Sequence, residues 1–116
     1  MRKTKITGIG HFVPERVVTN NDLEKLMDTN DEWIVSRTGI HERRWVERGV
    51  GTSHLSIKAA EKALEMANLS AKDIDLVILA SLTSDYHFPG SAVQIQDKMG
   101  MLGSGLILGG EIHLAD

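Results

Sequence analysis

DTNDEWIVSRTGIHERR, residues 28–44, is the stretch around which the rest of the chain is organised. It begins acidic, passes through one of two tryptophans and ends in basic side chains. The pattern predicts a short helix, in which Thr29 or Asn30 caps the first turn and Gly39 ends the last. Two carboxylates fall in the first turn, where the positive end of the helix dipole favours negative charge.

Within this helix, Trp33 and Arg37 are four residues apart and therefore project from the same side. An indole face beside a guanidinium can stack on a flat ring and hold a phosphate. The alternative is that Trp33 anchors the core while Arg37 pairs with Asp31 or Glu32, and the spacing alone favours that packing interpretation.

The composition indicates one globular, soluble domain, since the 116 residues are 41% apolar and 25% charged. A formal net charge of −3 gives no field for a polyanion, so no nucleic-acid partner is expected and any anion site must be local. The candidate for such a site is a basic cluster formed by Arg37, His41, Arg43, Arg44 and Arg48.

Several classes of protein are excluded by what the sequence lacks. It has no cysteine, so disulfides, thiolate metal sites and a cysteine nucleophile cannot come from these residues. No apolar run is long enough to cross a bilayer, and residues 1–6 lack the apolar core of a signal peptide. We expect a cytoplasmic protein without a membrane partner.

The segments around the central stretch carry weaker signals. Residues 4–13 are β-branched and partly alternating, which predicts a strand interrupted by glycines where another backbone or a ligand comes close. A helix is predicted to start at Asn20 or Asn21 as its cap. Residues 45–52 are polar and contain two glycines, as in a loop.

Clear secondary-structure signals follow along the chain. Apolar residues recur every three or four positions over residues 53–67, which predicts a helix whose alanine-rich stripe packs closely. Residues 70–73 resemble a capping box. The apolar run 76–80 does not alternate, so we expect a strand covered on both faces.

The remaining elements complete an α/β pattern. Residues 81–90 form a loop at the carboxyl end of a presumed parallel strand, a common position for ligands. An amphipathic helix is predicted over residues 91–99, ended by Gly100, and a further buried strand over residues 106–113. Alternating strands and helices indicate an α/β fold with right-handed crossovers.

No complete catalytic or metal-binding constellation is recognisable from spacing. The five histidines are scattered and form no metal-ligand pair, although His87 in the loop 81–90 could contact a substrate. The glycine pairs lack the dinucleotide fingerprint, and neither a Walker pattern nor a serine elbow is present. We therefore expect no metal and no bound cofactor.

Four segments nevertheless resemble the amino-terminal part of β-ketoacyl-acyl carrier protein synthase III, and the similarity covers roughly residues 4–102. These segments are NNDLEK at 20–25, DTNDEWI at 28–34, RTGI at 37–40, and FP at 88–89 with QIQ at 94–96. The resemblance implies a partial thiolase-like fold of layered helices and sheets. It also implies the condensation of an acyl-coenzyme A primer with malonyl-acyl carrier protein, which initiates fatty-acid synthesis, by a homodimer.

The resemblance also assigns roles to individual residues of this chain. It implies that Trp33 stacks on the adenine of coenzyme A, with Thr29, Arg37 and Thr38 lining the same nucleotide end. Phe88 resembles the phenylalanine that crosses the dimer interface and helps to close the partner's acyl pocket. The alternative for Phe88 is a local plug in the core. Coenzyme A enters as a thioester substrate and not as a cofactor.

The chain departs from the family after residue 102. The family's nucleophilic cysteine, and the later histidine and asparagine that bind the thioester carbonyl, have no counterpart here. We interpret residues 1–102 as the amino-terminal segment, 103–105 as a junction and 106–116 as a later strand of the same domain. Either a shortened chain or one with omitted residues would give this pattern.

We accordingly expect no catalytic residue in the chain and no condensing activity from it alone. Two further hypotheses are a non-catalytic module that binds coenzyme A and a purely structural fragment that associates through apolar surface. Half of a layered fold should leave one face of a sheet exposed, so we expect poor stability unless a partner covers it.

Overall fold

A computed structural model describes residues 3–101 and, as backbone, the strand at residues 106–110. The helices are α1 (Asn20–Glu24), α2 (Asp31–Thr38), α3 (Thr52–Ala67) and α4 (Ser91–Met99), with a single 3-10 turn at Ala71–Asp73 among the residues so covered. The strands are β1 (Val17–Thr19), β2 (Glu42–Arg44), β3 (Leu76–Ala80) and β4 (Leu106–Gly110). The chain divides into two compact units, one made of the described residues of Met1–Phe12 and Val50–Asp116, the other of Val13–Gly49.

The unit Val13–Gly49 consists of a two-stranded antiparallel sheet and two short helices. β1 pairs with β2 so that Val18 lies opposite Arg43. Val18 and Ile34 are buried, with 3% and 8% of their surfaces exposed, and supply the apolar core of this small unit. Ile34 belongs to α2, so the core fixes which face of that helix points inward.

The cap of α1 lies one residue before Asn20 and two residues before Asn21, the two predicted positions. Thr19 is the cap: its Oγ1 accepts a hydrogen bond from the Asp22 backbone N–H at 3.3 Å, and an Asp22 carboxylate oxygen accepts from the Thr19 N–H at 3.0 Å. The prediction of Asn20 or Asn21 was therefore wrong. Thr19 and Asp22 form a reciprocal capping box, whereas the Asn20 side chain is buried and bonded elsewhere.

The predicted helix at the central stretch is confirmed, with Asn30 rather than Thr29 as its cap. The Asn30 Oδ1 accepts a hydrogen bond from the Trp33 N–H at 2.8 Å, and the two acidic residues of the first turn follow directly. At the other end Gly39 has φ 69°, a left-handed conformation that glycine adopts at no steric cost. Local signals thus define both ends of α2.

The other unit contains the parallel part of the fold. β3 and β4 pair in parallel, in register from Leu76 opposite Leu106 to Ala80 opposite Gly110. The amphipathic helix α4 lies between these strands in sequence and buries Ala92 and Ile95, with 1% and 4% of their surfaces exposed. Helices and a parallel strand pair confirm the α/β fold class.

β3 is not covered on both faces, as its unbroken apolar sequence had predicted. Leu76 and Ile78 are 43% and 68% exposed, whereas Val77 and Leu79, which alternate with them, are half-buried. Because successive side chains of a strand point to opposite faces, the face of β3 that carries Leu76 and Ile78 is open in the described part of the chain. The expectation that part of a layered fold leaves a sheet face exposed is confirmed.

Residues 4–13 do not form the predicted strand. The backbone at Gly8 and Gly10 lies against α3, where a Cβ added at Gly10 would come within 2.6 Å of the Ala63 nitrogen and closer still to the Ala59 oxygen. The N–H of Ile9 is 3.4 Å from the sulfur of Met66. No strand among the described residues pairs with this segment, although its glycines do mark a close approach of another backbone, as expected.

Three other local predictions are confirmed within the described residues, whereas the strand predicted over residues 106–113 is described only at Leu106–Gly110 and its burial stays a prediction. α3 occupies the predicted helical range, and the Ser70–Asp73 capping box is present at the 3-10 turn. Gly100 ends α4 with φ 69°. The proposed junction at residues 103–105 lies outside the described residues, so the division into 1–102 and 106–116 stays a prediction.

Candidate functional site

Trp33 lies on the outer face of α2 and is not a core anchor. Its side chain is 57% exposed, whereas the neighbouring Ile34 is 8% exposed and fills the core position. The packing interpretation that spacing alone favoured is therefore wrong for Trp33. The helix presents the indole to solvent because the sequence places the apolar Ile34, one residue on, towards the interior of the unit.

Arg37 is exposed one helical turn after Trp33, on the same side of α2. Within the part of the chain that the structure describes, no hydrogen bond or ion pair holds its guanidinium. Of its two expected partners, Asp31 instead accepts a hydrogen bond from Asn20 at 2.7 Å, and Glu32 forms no ion pair among the described residues. The ion pairs of those residues are Lys25–Asp22, Arg44–Glu42 and Lys58–Glu61. Arg37 thus offers an unpaired cation beside an exposed aromatic face.

The two threonines of the predicted site differ in what they can donate. Thr29 precedes the cap of α2 and is half-buried. The Thr38 hydroxyl donates to the Ile34 carbonyl at 2.8 Å and accepts from the Ile40 N–H at 3.1 Å. Because a hydroxyl has a single proton, Thr38 has no donor left for a phosphate and contributes to the end of the helix instead.

Hydrogen bonds engage some arginines of the predicted basic cluster and leave others exposed. Arg43 donates to the Val18 carbonyl at 3.3 Å, and Arg44 donates to the Pro14 and Glu15 carbonyls at 3.4 and 3.2 Å. These two guanidinium groups hold the chain around the β1–β2 pair. Arg37 and Arg48 are the exposed arginines of the cluster without such bonds among the described residues.

A second aromatic–cation pair lies in the same unit and was not foreseen. The Arg16 guanidinium lies 5.4 Å from the centre of the Trp45 ring, within cation–π distance. Both residues line a groove of about 330 Å³ together with Asp22, Lys25 and Leu26. Their separation of 29 positions gives no periodic signal, so only the pairing of β1 with β2 could bring them together.

Phe88 lies in the other unit and is almost fully exposed, at 91%. The alternative that it plugs the local core is therefore wrong. It belongs to the loop 81–90, which follows β3 as predicted. An aromatic side chain with this exposure has no packing role within its own unit and is available for contact with another surface.

Asp85 anchors this loop to the start of α3. Its Oδ2 accepts a hydrogen bond from the Ser53 N–H at 2.9 Å, and its own N–H donates to the Ser91 hydroxyl at 2.8 Å. Thr52 also donates its hydroxyl to the Thr83 carbonyl. Burial raises the pKa of Asp85, but the hydrogen bonds from Ser53 and Thr52 outweigh burial, so the pKa lies below its usual value.

The pKa of Asp22, the capping carboxylate of α1, is also lowered. Hydrogen bonds from the side chain and backbone of Thr19, and then from Lys25, lower the pKa of Asp22 from 3.8 to about 2. Asp22 is therefore ionised throughout the physiological range, as an anion at a helix start should be.

The described residues contain neither a cluster of metal-ligating side chains nor a helix that could span a membrane. No group of three or more histidine, aspartate or glutamate side chains in residues 3–101 could hold a metal ion. In the same region, no helix combines the length and the apolar character that a membrane span requires.

Comparison with known proteins identifies the family to which these features belong. No protein-family model matches the sequence. A β-ketoacyl-[acyl-carrier-protein] synthase III 1 from Bacillus anthracis is 54% identical over 95 residues, covering 82% of this chain and 31% of that protein. The chain thus spans about a third of the length of the curated relatives it matches.

Solved structures agree with this match. The crystal structure of 3-oxoacyl-[acyl-carrier-protein] synthase III from Aquifex aeolicus VF5 aligns with a TM-score of 0.87 at 42% identity, covering 95% of this chain and 35% of that one. The priming β-ketosynthase from the R1128 polyketide biosynthetic pathway aligns with a TM-score of 0.85 at 30% identity, covering 93% and 32%. These alignments confirm the partial thiolase-like α/β fold. Sequence and fold together place the chain in the β-ketoacyl-[acyl-carrier-protein] synthase III family of the thiolase superfamily, where it corresponds to the amino-terminal part.

Proposed function

We propose that this chain supplies the coenzyme A-binding end of an acyltransferase that condenses an acyl-coenzyme A primer with malonyl-acyl carrier protein in the cytoplasm. The observation that carries the proposal is the exposed Trp33 indole beside the unpaired Arg37 guanidinium on one side of α2. The indole stacks on the adenine ring, and the guanidinium pairs with a phosphate of the same nucleotide. Thr29 and Thr38 border this surface.

The hydrogen bonds within the chain make Arg37 a better candidate for the phosphate partner than the neighbouring arginines. Arg43 and Arg44 are committed to backbone carbonyls, whereas Arg37 keeps its donors free within the described residues. A guanidinium can bind a phosphate through two parallel N–H groups. Thr38 acts in this proposal by fixing the end of α2, since its hydroxyl proton is already donated to Ile34.

The chain by itself performs no condensation in this proposal. The reaction requires a thiolate nucleophile to accept the acyl group, and the 116 residues contain no cysteine. Binding of coenzyme A and acyl transfer are therefore separable: the first belongs to α2, and the second depends on residues outside this chain.

Phe88 contributes to association between two copies in the same proposal. Its 91% exposure supports a role at an interface, where it would help to close the acyl pocket of a partner in a homodimer. A purely structural fragment would also associate through such a side chain, but it would show no dependence on coenzyme A.

A fluorescence titration tests the binding proposal. In a Trp45→Phe background, the remaining Trp33 emission should respond to coenzyme A because adenine stacks on the reporting ring. Arg37→Ala should weaken the response by about tenfold in affinity, as expected for one charged hydrogen-bonded contact. Arg48→Ala removes the same charge from an exposed position and should leave the affinity unchanged.

Two results would count against this function. If the fluorescence of Trp33 does not respond to coenzyme A, adenine does not stack on this ring. Equal losses in Arg37→Ala and Arg48→Ala would mean that only the general charge of the surface matters.

A further inference from the structure

Asn20 is a fully buried polar residue at the junction of α1 and α2. Only 1% of its surface is exposed, and its Nδ2 donates two hydrogen bonds, to Asp31 Oδ1 at 2.7 Å and to the Ile40 carbonyl at 2.9 Å. Both partners are acceptors, so only the amide nitrogen can face them, and the amide orientation is fixed. A buried amide with both protons engaged is a strongly directional contact.

The two partners of Asn20 lie at opposite ends of α2. Asp31 is the first residue of that helix, and Ile40 directly follows Gly39, which ends it. A single side chain therefore fixes the start and the exit of the same helix. The helix between these points carries Trp33 and Arg37, so the position of Asn20 determines where their shared face lies in this unit.

Two further bonds extend the same arrangement. Glu24, one turn after Asn20 on α1, accepts a hydrogen bond from the Asp31 N–H at 2.8 Å. At the carboxyl end of α2, the Ile40 N–H donates to the Thr38 hydroxyl, and the Ile40 carbonyl accepts from Asn20. α1 thus holds α2 through polar contacts at both ends, in addition to the buried Ile34 in the middle.

We propose that Asn20 is the positioning residue of the coenzyme A surface, acting through Asp31 and Ile40 to hold α2 in the orientation that presents Trp33 and Arg37. Asn20 is buried and touches no ligand. The inference rests on the proposed function, but it makes a separate claim about the orientation of α2 that can be measured without coenzyme A.

The decisive variant is Asn20→Asp, which keeps the shape of the side chain and removes both donors. A carboxylate at this position faces the Asp31 carboxylate and the Ile40 carbonyl, so it repels both. We expect the affinity for coenzyme A to fall by roughly tenfold, as for the loss of a buried hydrogen-bonded contact. The indole N–H resonance of Trp33 should also move, with that of Trp45 as an internal reference.

The double variant Asn20→Asp/Asp31→Asn exchanges donor and acceptor and restores the contact between the two side chains. It should recover most of the affinity and return the Trp33 resonance towards its original position. Thr19→Ala is the matched control, because it removes the cap of α1 without touching α2. It should lower the unfolding temperature while leaving affinity and resonance unchanged.

The outcomes separate this inference from the proposed function. If Asn20→Asp leaves the coenzyme A affinity and the Trp33 resonance unchanged, Asn20 has no positioning role. The same conclusion follows if Thr19→Ala changes both as much as Asn20→Asp does. If the exchanged pair fails to recover either readout, the contact with Asp31 is not its means of action. If Trp33→Ala leaves coenzyme A affinity unchanged, the proposed function fails, and the Trp33 resonance in the other variants alone decides the role of Asn20.

Discussion

Replacing Gly10 with alanine tests the close packing of residues 4–13 on α3. The added Cβ would lie 2.6 Å from the Ala63 nitrogen, and an ordinary contact is 3.4 Å or more, so the segment must retreat by about 0.8 Å. The nearby Ala59 oxygen demands a larger shift, and both atoms belong to the helix backbone, which cannot rotate away. Over-packing of this kind costs about 1–3 kcal/mol.

An opposing effect of the same substitution is smaller. Alanine restricts the unfolded chain more than glycine does, which stabilises a protein by about 0.4–1 kcal/mol where the native conformation accepts the new residue. Steric overlap should win, leaving Gly10→Ala less stable by about 1–2 kcal/mol. That corresponds to a fall in unfolding temperature of roughly 4 °C or more.

Urea denaturation followed by far-ultraviolet circular dichroism measures the difference. Thr7→Ala is the matched control, since Thr7 is exposed in the same segment and its replacement should change stability by less than about 0.5 kcal/mol. A Gly10→Ala chain that unfolds at the urea midpoint of the unchanged protein, or above it, would refute the packing of this segment on α3.

Two further predictions concern the loop 81–90. Because the pKa of Asp85 is lowered in the folded protein, its carboxylate contributes its full stabilisation above the usual carboxyl pKa, and this stabilisation is lost as the pH falls through the lower folded pKa. Asp85→Asn should therefore lower the free energy of unfolding by about 1 kcal/mol near neutrality and by much less in strong acid. Thermal unfolding measures this difference, with the exposed Asp75→Asn as the control. Phe88→Ser should reduce self-association in sedimentation velocity, whereas Tyr86→Ser, which alters a 63% exposed aromatic in the same loop, should not; equal effects would remove the specific role of Phe88.

The elements that could be predicted from the sequence are those with local signals. Asn30 and Gly39 define α2 because a cap and a left-handed glycine act within one turn of the residues they terminate. β3 and α4 were equally recognisable from apolar runs and helical spacing. The alternation of strands and helices predicted parallel strands, which the pairing of β3 with β4 confirms.

The wrong predictions depend on contacts between distant residues. Thr19 and Asn20 are both good helix caps, and the choice between them depends on the buried acceptors Asp31 and Ile40, which no local pattern reveals. Residues 4–13 have a strand-like sequence, but no strand of the described residues pairs with them. In each case tertiary contacts override local propensity.

The candidate site shows the same division. Helical spacing predicted that Trp33 and Arg37 share a side of α2, but it could not determine whether that side faces the core. The burial of Ile34 decides the question, because it turns Trp33 outwards. Resemblance to a family supplied the ligand, which residue spacing alone left open.

The central claim is that α2 binds the nucleotide half of coenzyme A. Calorimetric titration of the chain with that half, 3′-phosphoadenosine diphosphate, and separately with pantetheine tests it most directly. We predict that the nucleotide half binds to the unchanged chain and not to Trp33→Ala, and that pantetheine binds to neither. Binding of pantetheine without the nucleotide half, or equal nucleotide binding in Trp33→Ala, would contradict the claim.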